Sequence, residues 1–338
     1  MRSPRVIVNS QRRLGQRGHV SRTMLLAALA VAGVTIAACS SDDGPGGGDT
    51  PLLQALSRVA VPDAVNFIEF GDLNRIDEAS GGTFQGIWGN LDGMGTSSVF
   101  NYRTQLPDVL GVDVTAADTS IVVGLPPTAI TLVQGGQDED VIVSTSTGSG
   151  WSGDDILATE ASPAEPISLA APQVRPLGSD VTFGGPGADL MMVDPDDAET
   201  LDADPLVGSL ASCVGDVIAA TFVVDDPQPV VVGVRPDTDD ADVPVSIVCA
   251  AADDADSAEQ LAQRMIDDIN DGVSLSQGNR PFADLFSVVG HDVIDGDVPT
   301  AQVELRHTDD AFAISAMRLI ATRDLPGLHG GELDSDSD

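Results

Sequence analysis

Carboxylates outnumber basic groups by more than three to one in this chain, and that imbalance limits what it can fold into. Its 338 residues hold 53 Asp and Glu against 16 Arg and no Lys, a formal charge of −37. Only nine of the acids are Glu, so 44 are Asp. Self-repulsion on that scale disfavours a compact state unless apolar burial is ample and ions screen the surface. Burial is available, because 42% of the residues are apolar, which separates the chain from the disordered class. Screening length falls to about 3 Å at 1 M salt, so the charge points to saline external surroundings, with divalent ions as the alternative. The same charge excludes nucleic acid as a partner, since that needs a basic patch. A chain this long makes one large domain or two smaller ones.

The arginines are not spread evenly. Six of them (Arg2, Arg5, Arg12, Arg13, Arg17 and Arg22) precede an uncharged apolar stretch at 24–38, with no acid among these residues. A basic leader, a short apolar run and a small-residue exit describe a secretory signal over residues 1–38. At fifteen residues the apolar run falls short of the roughly 20 needed to span a bilayer. Translation from Met1 or from Val20 would both leave such a signal. Residues 39–49 are rich in Gly and Asp and read as a flexible tether, reaching about 17 Å by the square-root rule for such linkers. Without residues 1–38 the chain keeps ten arginines against 53 acids, a charge of −43.

The exit, Ile36-Ala37-Ala38-Cys39, resembles the bacterial lipobox, and with the composition it is similar to the lipoproteins of high-GC bacteria. That resemblance covers the signal alone. It implies that Cys39 receives a diacylglycerol and that the protein sits at the cell membrane, lipid-anchored on its extracytoplasmic face. It implies no activity.

With Cys39 assigned to lipid, Cys213 and Cys249 remain. In an oxidising compartment an even pair reads as one disulfide rather than two separate buried thiols.

Behind the tether, Thr50-Pro51 caps a helix. Strands are expected at 64–70, 121–125, 130–133, 156–158, 181–183, 190–193, 217–224, 230–234 and 245–249. A brief helix is expected at 72–79 and a weaker element from 138. The clearest helix covers 258–270, where Ser257 and Gln260 form a capping box and Leu261, Met265 and Ile269 share a face. A second covers about 310–322, with acids at its start and arginines near its end. The fold class is α+β, mainly antiparallel sheets with flanking helices. One echo runs through it: Pro51-Leu52-Leu53 with Leu56 matches Pro205-Leu206-Val207 with Leu210, and Val122-Val123-Gly124 matches Val231-Val232-Gly233. Either the chain holds two related lobes, at 50–204 and 205–325, or the matches are chance. The first lobe would carry an insertion of about 45 residues, and 326–338 would be a solvated acidic tail.

Catalytic patterns are scarce. There is no nucleophile elbow, phosphate loop or zinc-protease motif, and without Lys there is no Schiff-base chemistry. His291 and His307 are the remaining general bases, read as residues at element ends. Asp237, Asp239, Asp240 and Asp242, and further on Asp292, Asp295 and Asp297, make calcium the one candidate cofactor, since hard cations want clustered oxygens; neither run has EF-hand spacing. Phe84, Trp88, Phe100 and Tyr102 with Arg103 put a third of the twelve aromatics into nineteen residues. They form the candidate ligand or partner surface, although such rings also fill cores. These features point to a lipid-anchored binding or envelope-interaction protein, with an envelope protein or a small ligand as its partner. The alternatives are an extracytoplasmic hydrolase, which needs Ser or Asp to converge on His291 or His307 in a pocket, and a carrier with an apolar cavity.

Overall fold

The structure, a computed structural model, describes residues 50–62, 65–83, 85–224 and 227–328. Cys39, the signal, the tether, Phe84 and most of the acidic tail lie outside the described residues.

Short apolar runs separated by Gly, Pro and Asp turns build one sheet of eleven antiparallel strands. In the first half the order along the chain is α1 (Pro51–Leu56), β1 (Phe67–Asp72), α2 (Leu73–Ser80), α3 (Leu106–Val109), β2 (Thr119–Val123), β3 (Ile130–Gln134), α4 (Glu139–Gly148), β4 (Leu157–Ala158), α5 (Pro166–Ala170), β5 (Gln173–Leu177) and β6 (Asp180–Gly184). The second half runs α6 (Pro205–Val214), β7 (Ala219–Val223), β8 (Val230–Pro236), β9 (Pro244–Ala251), α7 (Ala255–Asp271), β10 (Val273–Ser274), β11 (Arg280–Pro281), β12 (Phe286–Ile294), β13 (Thr300–His307) and α8 (Ser315–Ala321). Across the sheet the strands lie β12-β13-β9-β8-β7-β1-β2-β3-β6-β5-β4, with β10 and β11 paired separately.

That order repeats. Each half is a helix, three successive antiparallel strands, a helix, and a hairpin whose second strand returns to pair with the third. The halves meet where β1 pairs β7 in antiparallel register, from Phe67 opposite Val223 to Gly71 opposite Ala219. The pairing is symmetric about Glu69 and Thr221, so a local two-fold passes through the sheet there and relates Phe70 to Phe222. The order of elements repeats, but the sequence echo is one residue out of this register: Ile121 corresponds to Val231 and Val122 to Val232, not to Val231. The halves share one sheet within one compact unit.

Alternation along the strands explains the layers. On one face Ile68, Phe70, Ile121 and Leu132, with Phe222, Val231 and Cys249, pack under α1 and α6. On the other, α7 and α8 cover the second half, while Leu106, Leu110 and Ile142 of α3, α4 and the chain between them cover the first. Each fully buried Phe in that central strip contributes about 1.5–3 kcal/mol. Residues 73–83 and 85–118, of the insertion, fold against the same face as α7. Gly95 (φ +73) carries this close approach, because a Cβ there would lie 2.3 Å from the Ser120 carbonyl oxygen.

Several boundaries differ from expectation. The clearest helix is α7, but its cap is Asp254, which accepts from the Ser257 N–H at 2.7 Å, so the helix starts three residues earlier. Leu190–Met192 is a turn of 3-10 helix rather than a strand, and Val193 makes only an isolated antiparallel bridge to Val59. α8 begins only at Ser315, and Asp310, expected at its start, pairs with Arg280 at 2.9 Å.

Candidate ligand groove

α6 starts where Asp204 Oδ1 accepts from the N–H groups of Leu206 and Val207 (3.0 and 2.9 Å), with Pro205 in the first turn. Its buried side, Val207, Leu210, Ala211 and Val214, rests on the sheet. Cys213 is bonded to Cys249 of β9, with Cα atoms 6.1 Å apart, so the expected disulfide pins the helix to the strand beneath it. Its flank is open.

Along that flank lie two adjoining clefts that share Ser212 and Ile294. The first, of about 290 Å³, is bounded by Asp202 and Asp204 before the helix, Ser209 and Ser212 on it, and Asp295 and Asp297 in the β12–β13 turn. That turn reaches the helix through the Val298 N–H, which donates to Ser209 Oγ at 3.2 Å. Thr300 forms part of the lining. It pairs with Ala251 and Ile294, so its side chain shares the α6 face of the sheet. Thr300 is fully buried, and its Oγ1 has no hydrogen-bond partner. Leaving such a hydroxyl dry and unpaired costs about 1–3 kcal/mol.

The second cleft, of about 500 Å³, continues towards the end of α6. Its charges are mostly matched: Arg75 binds Asp216 at 2.6 Å and Arg235 binds Glu304 at 3.3 Å. Gln302 Nε2 donates to the Cys213 carbonyl at 2.6 Å and closes the floor. No arginine is among the residues lining the first cleft.

The first half treats the equivalent place differently. Through the strand registers, β6 corresponds to β13, Asp180 to Thr300 and Arg175 to Asp292. There the chain fills the space with its own residues. Arg58, just past α1, donates to Asp180 and, at 2.6–2.8 Å, to Asp194. These bonds hold the guanidinium firmly protonated, and the Arg58 bond keeps the Asp194 carboxyl below its ordinary value. Arg175 donates to the carbonyls of Leu190 and Val193, and so the 190–193 turn lies over β5.

Of the expected site residues, Asp292, Asp295 and Asp297 do come to one place, as parts of this groove. Asp237, Asp239, Asp240 and Asp242 sit elsewhere, at the β8–β9 turn, where Asp237 binds Arg306 at 2.8 Å. Among the described residues no three His, Cys, Asp or Glu side chains gather as metal ligands.

The aromatic group is dispersed. Trp88 is 4% exposed and belongs to the core beneath α7, and Tyr102 packs on the core near α3. Phe100 and Arg103 stay together, the guanidinium 4.1 Å from the ring, beside Asp92 in a small cleft of about 100 Å³.

Ser246 Oγ and His307 Nε2 do converge, at 2.8 Å, but not in a pocket. Ser246 is fully buried and His307 is 5% exposed, edge-on to Phe286. Burial lowers the imidazole pKa to about 4, with the Phe312 backbone working the other way. That hydroxyl is closed off from solvent, and His291 lies exposed on β12.

Of the polar lining, Asp292, Asp295 and Asp297 were singled out in the sequence, while Asp202 and Asp204 before α6 and Gln302 and Glu304 on β13, where apolar and polar residues alternate, were not. The available signal was that alternation, Gln302, Glu304 and Arg306 against Ala301, Val303 and Leu305. Among the described residues no helix is long and apolar enough to cross a membrane. Comparison of the chain with protein-family models, curated proteins and solved structures finds no match to any of them.

Proposed function

We propose that this is a lipid-anchored binding protein on the extracytoplasmic face of the membrane, held by Cys39 and using the groove beside α6 as its ligand site. The observation that carries the binding part is the open flank of α6, at a position where the first half of the same repeat is filled by Arg58, Arg175 and residues 190–193. A fold that can close this place and leaves it open in one half has room there for something else. The groove has the size of a small-molecule site. The anchoring part is supported by the lipobox-like Ile36–Cys39 sequence and by the tether that follows.

Full-length wild type and Cys39→Ala, produced in a bacterium that processes lipoproteins, test the anchor by fractionation. Wild type should pellet with membranes and take up labelled fatty acid, and the variant should be in the soluble fraction. A variant that stays with the membrane refutes attachment through Cys39.

A further inference from the structure

We propose that the α6 groove takes a small organic cation, its guanidinium or ammonium group held among Asp202, Asp204, Asp295 and Asp297 above Thr300. This rests on the groove being the ligand site, and goes further by naming the chemistry of the ligand.

Three observations on different residues lead there. The first is the internal comparison. Counting from the first proline of each helix, the position that is Arg58 in the first half is Ser212 in the second. In the first half that arginine places a guanidinium on Asp180, the register equivalent of Thr300. In the second half no side chain of the lining supplies a cation.

Thr300 itself is the second observation. Its Oγ1 is an unpaired acceptor, completely buried, on the face of the sheet that floors the cleft. An N–H donor from a ligand would satisfy it, while a carboxylate ligand would meet four acids.

The third is the spread of those acids. Hard metal ions need several oxygens converging on a point, and no such group is present among the described residues. Carboxylates that line a cleft suit the separate N–H bonds of a guanidinium or ammonium group, each a charge-assisted hydrogen bond. Asp292 in the adjoining cleft provides a carboxylate for a second positive end of an elongated ligand.

The test is calorimetric titration of the detergent-solubilised full chain with agmatine, and separately with calcium, at fixed ionic strength. The variants are Asp295→Asn with Asp297→Asn, Thr300→Val, and, as a charge-matched control in the other half, Asp154→Asn with Asp155→Asn, which are exposed and outside the groove. All keep side-chain size, and their melting curves report folding. Expected is one agmatine per chain, weakened about tenfold or more by the groove pair, as lost bonds to a charged group imply. Thr300→Val should weaken it severalfold, and the control pair should leave it unchanged. Calcium binding that depends on Asp295 and Asp297, with no agmatine binding, overturns the organic cation and leaves the groove as the ligand site. Equal losses in both pairs, or no response to either groove variant by either probe, overturn the groove as well.

Discussion

Removing the covalent link between α6 and β9 should cost this protein much of its stability. The perturbation is Cys213→Ala with Cys249→Ala. The bridge closes a loop with a sequence separation of 36, for which loop-closure entropy gives about 4 kcal/mol at 25 °C. Both sulfurs are buried, Cys213 at 3% and Cys249 at 0% exposed, and truncation to Ala adds a smaller cavity cost. Against a typical total of about 5–15 kcal/mol, such a loss is readily measured. Equilibrium urea unfolding of wild type and double variant, in the absence of reductant, gives the difference between extrapolated free energies. The slope should rise, because the uncrosslinked unfolded chain exposes more surface. A difference below about 1 kcal/mol would refute the reasoning, since it would mean that the link restricts neither the unfolded chain nor the helix. The single variant Cys249→Ala, which also breaks the bond, should lose nearly as much as the double variant.

Two further outcomes follow from buried titratable groups. Glu69 sits at the centre of the sheet, accepting from the Gly95 N–H at 2.9 Å and from Ser97, and burial raises its pKa above the ordinary glutamate value despite those bonds. Its proton is therefore held more tightly in the folded state, so this group adds stability as the pH falls from neutral towards the ordinary value of 4.5. Relative to Glu69→Gln, wild type should gain stability over that range in urea titrations, and parallel pH profiles would sink the assignment. His307 acts in the opposite sense. Its pKa, lowered to about 4, keeps it neutral when folded. The stability it contributes is complete above the unfolded value of 6.5 and is lost as pH falls from there to about 4, amounting to about 3 kcal/mol. Imidazole resonances of His307 should titrate near pH 4 in the folded protein; a midpoint between 6 and 7 would show that burial does not govern this ring.

The sequence was most legible where one face of an element is wholly apolar. The Val-rich stretches of β8 and β9 are buried along almost their whole length, and α7 carries its apolar residues at helical spacing. Thr50 and Pro51 mark the start of α1 because the hydroxyl accepts from the Leu53 N–H. The strands β12 and β13 were not legible as strands. Half of β13 faces the α7 core through Ala301, Val303, Leu305 and His307, while on the other half Thr300, Gln302 and Glu304 line the groove and Arg306 pairs with Asp237. A strand that lines a polar site has no continuous apolar run, so only its alternation marks it, as in Ala301, Val303 and Leu305 between Gln302, Glu304 and Arg306. The stretch 190–193 misled for the converse reason. It is apolar because it covers the sheet, yet its backbone turns there, with Asp189 accepting from the Met191 N–H. Asp295 and Asp297 were singled out as acids, but nothing in their own neighbourhood revealed that Asp202 and Asp204 lie across a cleft from them. That proximity comes from the hairpin folding back against α6.

The two halves also explain why only one of them has a disulfide. In the first half α1 is held from its flank: Ala60 N–H donates to the Met192 carbonyl and Asp194 N–H to that of Arg58, both at 2.8 Å, while the Arg58 guanidinium bridges Asp180 and Asp194. These contacts fix the chain that follows the helix, and they also fill the space beside it. A second half stabilised in the same manner would have no groove. The Cys213–Cys249 bond works from below instead, joining the last turn of α6 to the sheet within the buried core. It holds the helix from the sheet side, and Ser209 and Ser212 still line the first cleft above the buried Thr300. The restraint and the opening are then parts of one arrangement. Breaking the bond should loosen α6 towards the groove, so the cysteine variants should weaken cation binding as well as unfold more easily. Had the groove been only a packing defect, its flank would have no reason to stay clear, and filling it with Ser212→Arg, the residue found at the matching position of the first half, should stabilise the fold through Asp202 and Asp204. If the groove is a ligand site, the same substitution supplies the missing cation from within, and agmatine binding is lost while the fold is kept.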